Sequence, residues 1–354
     1  MKPVAEAAPA TPGWRRKPWR SLQTRLTLLV LGILLLALWT VAALGARLLH
    51  ADVERLVTDQ QQASLAVFAE ELNQDLAERL EALENVALRI SPEMRARPDA
   101  LQSYLSERPT FEALFTGGYF ATDVQGVVIA SLPLSAQRLG QQRGDRPHVQ
   151  KALREGRSSV GEPGVGRALG VPAVGMAAPI RDTEGRVVGA LVGVVDLTQP
   201  GFLDRVTRSR YGKTGGHLLV APEARRIVTA SDKGRVLQTL AAPGVDPVTD
   251  RLLNGQAQTL VQRDANGEDL LTATQAVPAA GWVLISQLPA AEAYQPVHNL
   301  IRNGWLAAGG VSILAVLLST WLLRRQLAPM REAAAALAKQ GQGDHAPAPL
   351  PEHG

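Results

Sequence analysis

Two stretches of this chain carry no charged residue: residues 26–46, between Arg25 and Arg47, and residues 303–323, between Arg302 and Arg324. Each is 21 residues long. At a helical rise of roughly 1.5 Å per residue, that length just spans a hydrocarbon core of roughly 30 Å. A cleavable secretory signal is the alternative for the first stretch, because residues 43–46 include small side chains of the sort a signal peptidase accepts. The stretch is longer than the roughly 7–15 apolar residues of a signal core, which favours an anchor. The second stretch stops at Arg324-Arg325, which argues against a buried core helix. Trp19, Trp305 and Trp321 fall near the ends, where an indole favours the headgroup layer. The chain is therefore read as one 256-residue segment held between two membrane spans.

Charge assigns the sides. The leader, residues 1–25, holds Lys2, Arg15, Arg16, Lys17, Arg20 and Arg25 against the single acid Glu6. An excess of Lys and Arg beside a span marks the cytoplasmic side. Two spans return the tail, residues 324–354, to the same side, in agreement with Arg324, Arg325, Arg331 and Lys339. Both termini are thus expected in the cytoplasm of a bacterial inner membrane, with residues 47–302 periplasmic. That outer segment has 27 Lys and Arg against 29 Asp and Glu. The sequence pI near 9.6 therefore reflects the flanks and topology, not a nucleic-acid partner. The chain contains no cysteine, so no disulfide staples the segment, and 256 residues are enough to bury a core without one.

Within the outer segment, residues 47–90 lack Gly and Pro, and Leu65, Phe68, Leu72, Leu76, Leu80, Leu83 and Val86 recur at three- and four-residue steps. This is the period of an amphipathic helix, read as a rod whose apolar stripe packs on the outer domain or on a second copy. Beyond Ser91-Pro92 short apolar runs alternate with turns. One turn type recurs at Asp123 to Gly126, Asp182 to Gly185 and Asp264 to Gly267, where Asp caps backbone donors and Gly closes at positive φ. The flanking runs predict hairpins of residues 119–122 with 127–131, 174–180 with 187–196, and 259–262 with 270–277. Residues 217–221 with 227–230 and a strand at 282–288 complete the set. Helices are predicted at 100–114, 148–155 and 202–209. The fold class is α+β: two tandem antiparallel-sheet subdomains, residues 91–198 and 199–302, following the rod.

These residues resemble the double Cache (dCache, PAS-like) sensor domains of bacterial histidine kinases, diguanylate cyclases and chemoreceptors over residues 50–300. The resemblance rests on Asp123-x-x-Gly126 with Ile129-Ala130-Ser131, then Arg146-Pro147-His148, then Ala178-Pro179-Ile180-Arg181-Asp182 with Gly185, Gly189 and Asp196-Leu197. It continues through Gly212-Lys213-Thr214-Gly215, Gly281-Trp282 and Leu288-Pro289-x-x-Glu292-Ala293. After the second span, Leu327-Ala328-Pro329-Met330 and the residues to Leu337 resemble the first helix of a HAMP signal relay, ended before a second helix. The resemblance implies two PAS-like subdomains and a homodimer in the bilayer. It also implies a small-molecule ligand in the membrane-distal subdomain, whose pocket closure shifts the second span. The chain then reads as the input half of a histidine kinase or diguanylate cyclase. A non-signalling envelope scaffold is the alternative from another class.

The family likeness also marks candidate ligand residues. Arg146 matches the arginine that holds a ligand carboxylate in the amino-acid-binding branch, and Asp196 matches the aspartate that takes its ammonium. A guanidinium fork suits a carboxylate and an acid suits an amine. That branch carries Arg-x-Trp-Tyr, whereas this chain has Arg146-Pro147-His148-Val149. Without the two aromatic walls an α-amino acid is disfavoured, and a small carboxylate or other anion bound through Arg146 and His148 is expected. Tyr119 and Arg167 are further candidates, the latter in a glycine-rich lip at residues 164–170. The competing role for Arg146 is an ion pair with Asp145 or Glu155. Gly212-Lys213-Thr214 imitates a phosphate loop, but Thr207 stands where the motif needs glycine, so a plain loop before a strand is expected. The glycine-rich lip has one residue too many for a dinucleotide fingerprint. The six histidines show no metal-ligand spacing, no Gly-x-Ser-x-Gly elbow exists, and neither enzymatic activity nor a cofactor is expected.

Overall fold

The computed structural model describes residues 22–134, 137–208, 212–263 and 267–340. They form two compact units, one comprising residues 53–295 and the other the described residues up to 52 and from 296 onward.

The chain enters as a single helix α1, Leu22–Ala87, unbroken because nothing between Arg47 and Ile90 removes a backbone donor or frees φ. Ser91 then caps α2, Pro92–Ala96, its Oγ accepting from the Met94 N–H. Next come α3, Pro98–Ser106, and α4, Pro109–Leu114. The single helix expected over 100–114 is thus two. Pro109 starts the second, and its ring bars helical geometry at Arg108, whose φ is −123° and ψ 71°.

The first sheet takes β1 Tyr119–Asp123, β2 Val128–Leu132, β3 Ser159–Val160, β4 Gly164–Val165, β5 Pro172–Arg181 and β6 Val187–Asp196. Between β2 and β3 lies α5, Pro147–Gln150, which runs into a π-type turn ended by Gly156 in the left-handed region. The antiparallel order is β2-β1-β6-β5-β3, with β4 also paired to β5. A second sheet follows α6, Asp204–Arg208, with β7 Gly216–Ala221, β8 Arg226–Ala230, β9 Gln258–Arg263, β10 Asp269–Val277 and β11 Trp282–Pro289. Its order, β8-β7-β11-β10-β9, repeats the first: an opening hairpin whose first strand lies beside the last. The expected hairpins are all present. Asp123 and Asp182 each accept two backbone N–H donors through Oδ1, with Gly126 and Gly185 at φ near 84° and 81°. The third such turn falls partly outside the described residues, as does the end of the helix expected over 202–209. Between β8 and β9 the sequence reading passed over α7, Pro247–Leu253, which is capped by Asp246.

Sheet alternation sorts the side chains between two faces. On one face, Leu65, Leu72, Leu76, Leu83 and Val86 of α1 join Met176, Ile180 and Leu191 of the first sheet and Leu219, Trp282 and Leu284 of the second in one buried cluster. The rod's apolar stripe is therefore covered by its own domain. Each fully buried leucine contributes about 1.5–3 kcal/mol relative to exposure. Asn73 Oδ1 also accepts the Ala279 N–H at 2.8 Å, and Gln62 Nε2 donates to Thr274 O at 3.1 Å. On the opposite faces, Val149 and Ala152 cover the first sheet, while Leu252 and Leu253 of α7 cover the second. The domain closes with α8, Ala290–Ala293, before α9, Gln295–Gln340.

In the other unit, α1 and α9 each contain a stretch long and apolar enough to cross a membrane, with mean hydropathy of 2.6 and 1.8. There Trp39 stacks on Trp305 at 5.4 Å between centroids and donates Nε1–H to Ser312 Oγ at 3.1 Å. The segment from Arg324 to Gln340, for which a helix was expected, continues α9 from its apolar stretch. Residues 341–354 lie outside the described residues.

Candidate functional site

The outer face of the first sheet carries a cavity of about 70 Å³. Its floor is apolar: Phe120 from β1, Ala173 and Gly175 from β5, and Val192 and Val194 from β6. These outward positions alternate with Tyr119, Val174, Met176, Leu191 and Val195, which face α1. One wall is the segment running into α5. It supplies Arg138, Arg143 and Arg146, then His148 and Val149 from the helix. Pro147 begins α5 and leaves Arg146 extended as its N-cap residue, with φ −79° and ψ 131°. The other wall is residues 162–169, with Glu162 and Arg167. Here β4 pairs with β5, and the turn closes through Leu169 and Gly170 N–H groups on Gly166 O.

Four arginines thus face one small volume, and their partners distinguish them. Arg138 is 3 % exposed. It donates to the carbonyls of Leu132 and Gly117, and burial, with Arg143 nearby, pushes its pKa down to about 10. Arg143 is 6 % exposed, donates through Nη2 to Gln141 Oε1, and has no partner for Nε. Burial lowers its pKa, and the charges of Arg146 and Arg167 lower it further. Arg167 is tied to Asp145 through both guanidinium Nη atoms. That hydrogen bond and charge hold the Asp145 carboxyl below its usual range against the upward pull of burial. Arg146 forms no salt bridge among the described residues and makes one long contact, Nη2 to Val165 O at 3.5 Å. Asp145 and Glu155, the ion-pair partners considered for it, bond to Arg167 and Arg157 instead.

His148 stands at the inner end. Its ring fills the space that a Cβ would occupy at two glycines: Nδ1 lies 2.2 Å from that position at Gly161, and Nε2 2.4 Å from it at Gly175. Burial, reinforced by the charge of Arg146, pushes its pKa down to about 4, and Nδ1 has no partner. At neutral pH its ring is therefore uncharged.

The structure therefore brings Arg146, His148 and Arg167 together and places Tyr119 and Asp196 elsewhere. Tyr119 points to the α1 face and donates its hydroxyl to Leu105 O at 3.1 Å. Strand alternation turns Phe120, not Tyr119, to the cavity. Asp196 ends β6, and its Oδ1 accepts Thr198 N–H at 2.8 Å and Thr198 Oγ1–H at 2.6 Å. It is not part of the cavity wall. Arg138, Arg143 and Glu162 escaped the sequence reading. The available signal was the crowding of Arg138, Arg143 and Arg146 into nine residues of a segment that is otherwise net acidic.

A wider groove of about 980 Å³ lies on the second sheet, between Lys213–Leu218, Asp232, Arg235 and Glu292. Its charges are of mixed sign. Glu292 already accepts the Lys213 and Thr214 N–H groups and the Thr214 hydroxyl. Gly212-Lys213-Thr214 is accordingly a loop pinned by a carboxylate ahead of β7, a poor receptor for phosphate. The first-sheet cavity, though smaller, is where like charges converge with donors to spare.

The Cache domain family profile dCache_1 matches residues 50–297. The chain belongs to the Cache domain family. Its double Cache fold is shared with solved ligand-binding domains. That of the Pseudomonas fluorescens chemoreceptor CtaA in complex with L-isoleucine superposes with a TM-score of 0.56 at 18 % identity, covering 69 % of this chain and 97 % of that one. The domain of the Pseudomonas aeruginosa PAO1 amino acid chemoreceptor PctB with L-Arg gives 0.55 at 19 %, covering 73 % and 98 %. That of Mlp24 with asparagine gives 0.53 at 18 %, covering 71 % and 99 %. No curated protein sequence matches this Cache chain.

Proposed function

We propose that this chain is a transmembrane receptor whose Cache domain binds a small anionic molecule over its first sheet and relays a helix shift across the bilayer. The observation that carries the reading is the convergence of Arg143, Arg146 and Arg167 on one cavity in a chain of this family. The similar solved domains were captured with L-isoleucine, L-Arg and asparagine, each of which bears a carboxylate. In this reading residues 26–46 and 303–323 are the spans, the Cache domain is periplasmic, and the basic leader and tail are cytoplasmic. A helix displacement of roughly 1–2 Å, the usual size of such shifts, carries the signal. The chain acts as a homodimer and supplies input to a kinase, cyclase or chemotaxis output without catalysing a reaction itself.

The test is a thermal-shift screen of the whole chain in nanodiscs against organic acids, amino acids, polyamines and purines. A ligand at 100 times its Kd adds about 2.7 kcal/mol. A shift that Arg146→Ala abolishes supports both the reading and the site. One that survives the substitution moves the site, and no shift across the set removes the receptor reading.

A further inference from the structure

We infer that the cleft between the two sheet subdomains is a second ligand site, one that takes a small neutral polyol such as a monosaccharide or a cyclitol. It is distinct from the first-sheet cavity and does not depend on the receptor reading above.

The cleft has a volume of about 230 Å³, below the roughly 300–1,000 Å³ of sites for drug-sized molecules. Its two walls differ in chemistry. The first subdomain supplies polar groups: Lys151 from the π-type turn after α5, then Ser158, Ser159 and Glu162. The second supplies Pro222, Ala279 and Ala280, with Glu223 from the turn between β7 and β8. An occupant therefore needs a hydroxyl-rich edge for one wall and a C–H face for the other, the two sides that a cyclic polyol presents.

The charges in the walls select against ions. Lys151 lines the same space as Glu162 and Glu223, so an anion meets two like charges and a cation meets one. None of these three side chains forms a hydrogen bond or salt bridge among the described residues. A hydroxyl donates to a carboxylate and accepts from an ammonium, so a polyol serves all three without bringing charge into the cleft. A zwitterion would pair with Glu162 and Glu223 where both are exposed, and water screens the gain. Among the described residues, no three acids or histidines are grouped as a metal ion requires.

Two buried groups of the polar wall lack partners. His148 is 9 % exposed and its Nδ1 makes no hydrogen bond, nor does Ser159 Oγ. Nδ1 stands on the side of Gly161, which lines the cleft, and Nε2 on the side of Gly175, which lines the first-sheet cavity. The imidazole is thus the partition between the two spaces. Ser159 belongs to β3, a two-residue strand at the sheet edge. So short an edge opens at little cost, and a hydroxyl entering behind it offers both a donor and an acceptor to the unmet imidazole and serine.

The experiment is isothermal titration and hydrogen–deuterium exchange of the whole chain in nanodiscs with ribose, glucose, myo-inositol, alanine, putrescine and propionate. At least one of the three polyols is expected to bind and to slow exchange in residues 158–162 and 221–223 together, one segment from each wall. Glu223→Gln and Lys151→Gln alter side chains that hold nothing else in place, and each should weaken that polyol tenfold or more. No binding by any of the three polyols would overturn the inference. Protection confined to one wall or centred on residues 138–146, stronger protection of the cleft by a charged probe, or unchanged polyol affinity in either variant would overturn it as well. Each of these outcomes leaves the receptor reading standing, because that reading fails only on its own screen.

Discussion

His148 occupies a slot that two glycines leave open, and its chemistry follows from that enclosure. A methyl group at Gly175 would sit 2.4 Å from the imidazole Nε2, with a buried ring that has no flexible end to yield. Gly175→Ala is therefore expected to destabilise the domain by about 1–3 kcal/mol, the usual cost of overpacking. A change below about 0.5 kcal/mol in urea unfolding would sink this account. The enclosure also sets a pH dependence. Burial holds the pKa values of His148 and His217 near 4 in the folded chain, against about 6.5 unfolded. Between those values the unfolded chain binds more protons. The stabilisation is thus complete above about pH 6.5 and is lost as pH falls toward 4. Urea midpoints should decline across this window, and His148→Gln should flatten the slope without abolishing it, because His217 still titrates.

Among the elements, α1 shows how far a periodic pattern carries. The leucine stripe was legible because helical periodicity places i, i+3 and i+4 on one side. Which surface covers it was not, since an apolar stripe is equally suited to a sheet or to another helix. The two sheets cover it, and the difference is measurable. Leu76 is fully buried, so Leu76→Ala should cost about 2–5 kcal/mol. Val67, 63 % exposed on the same helix, should change stability by less than about 0.5 kcal/mol as alanine. Equal effects would mean that the stripe is not the buried face. The helix over residues 100–114 was misread for a local reason: apolar spacing continues through Pro109, but the backbone cannot. The short β3, β4 and α7 lack a period long enough to read.

For the whole molecule, the repeated strand order places two like sheets along one helix, within a domain bracketed by two apolar helices. The chain has no cysteine, so single introduced thiols report topology without background. In intact spheroplasts, a membrane-impermeant maleimide should label Gln125→Cys, and should reach Thr11→Cys only after lysis. Labelling of both before lysis would reject the assignment of the leader to the cytoplasm.

The sequence by itself determined the two uncharged apolar stretches, the hairpins and the turns from Asp123 to Gly126 and from Asp182 to Gly185, because each depends on residues a few positions apart and on rules of length, period and φ. The family resemblance, in addition, marked Arg146, His148 and Arg167, which the fold brings to one cavity. Only the tertiary structure decided that Tyr119 and Asp196 stand outside it and that Arg138, Arg143 and Glu162 line it. Period-two alternation divides a strand into two faces, but which face meets α1 and which meets the cavity depends on contacts distant in sequence. Likewise, which arginine Asp145 and Glu155 neutralise depends on how irregular loops fold over the sheet, where no local period exists to read.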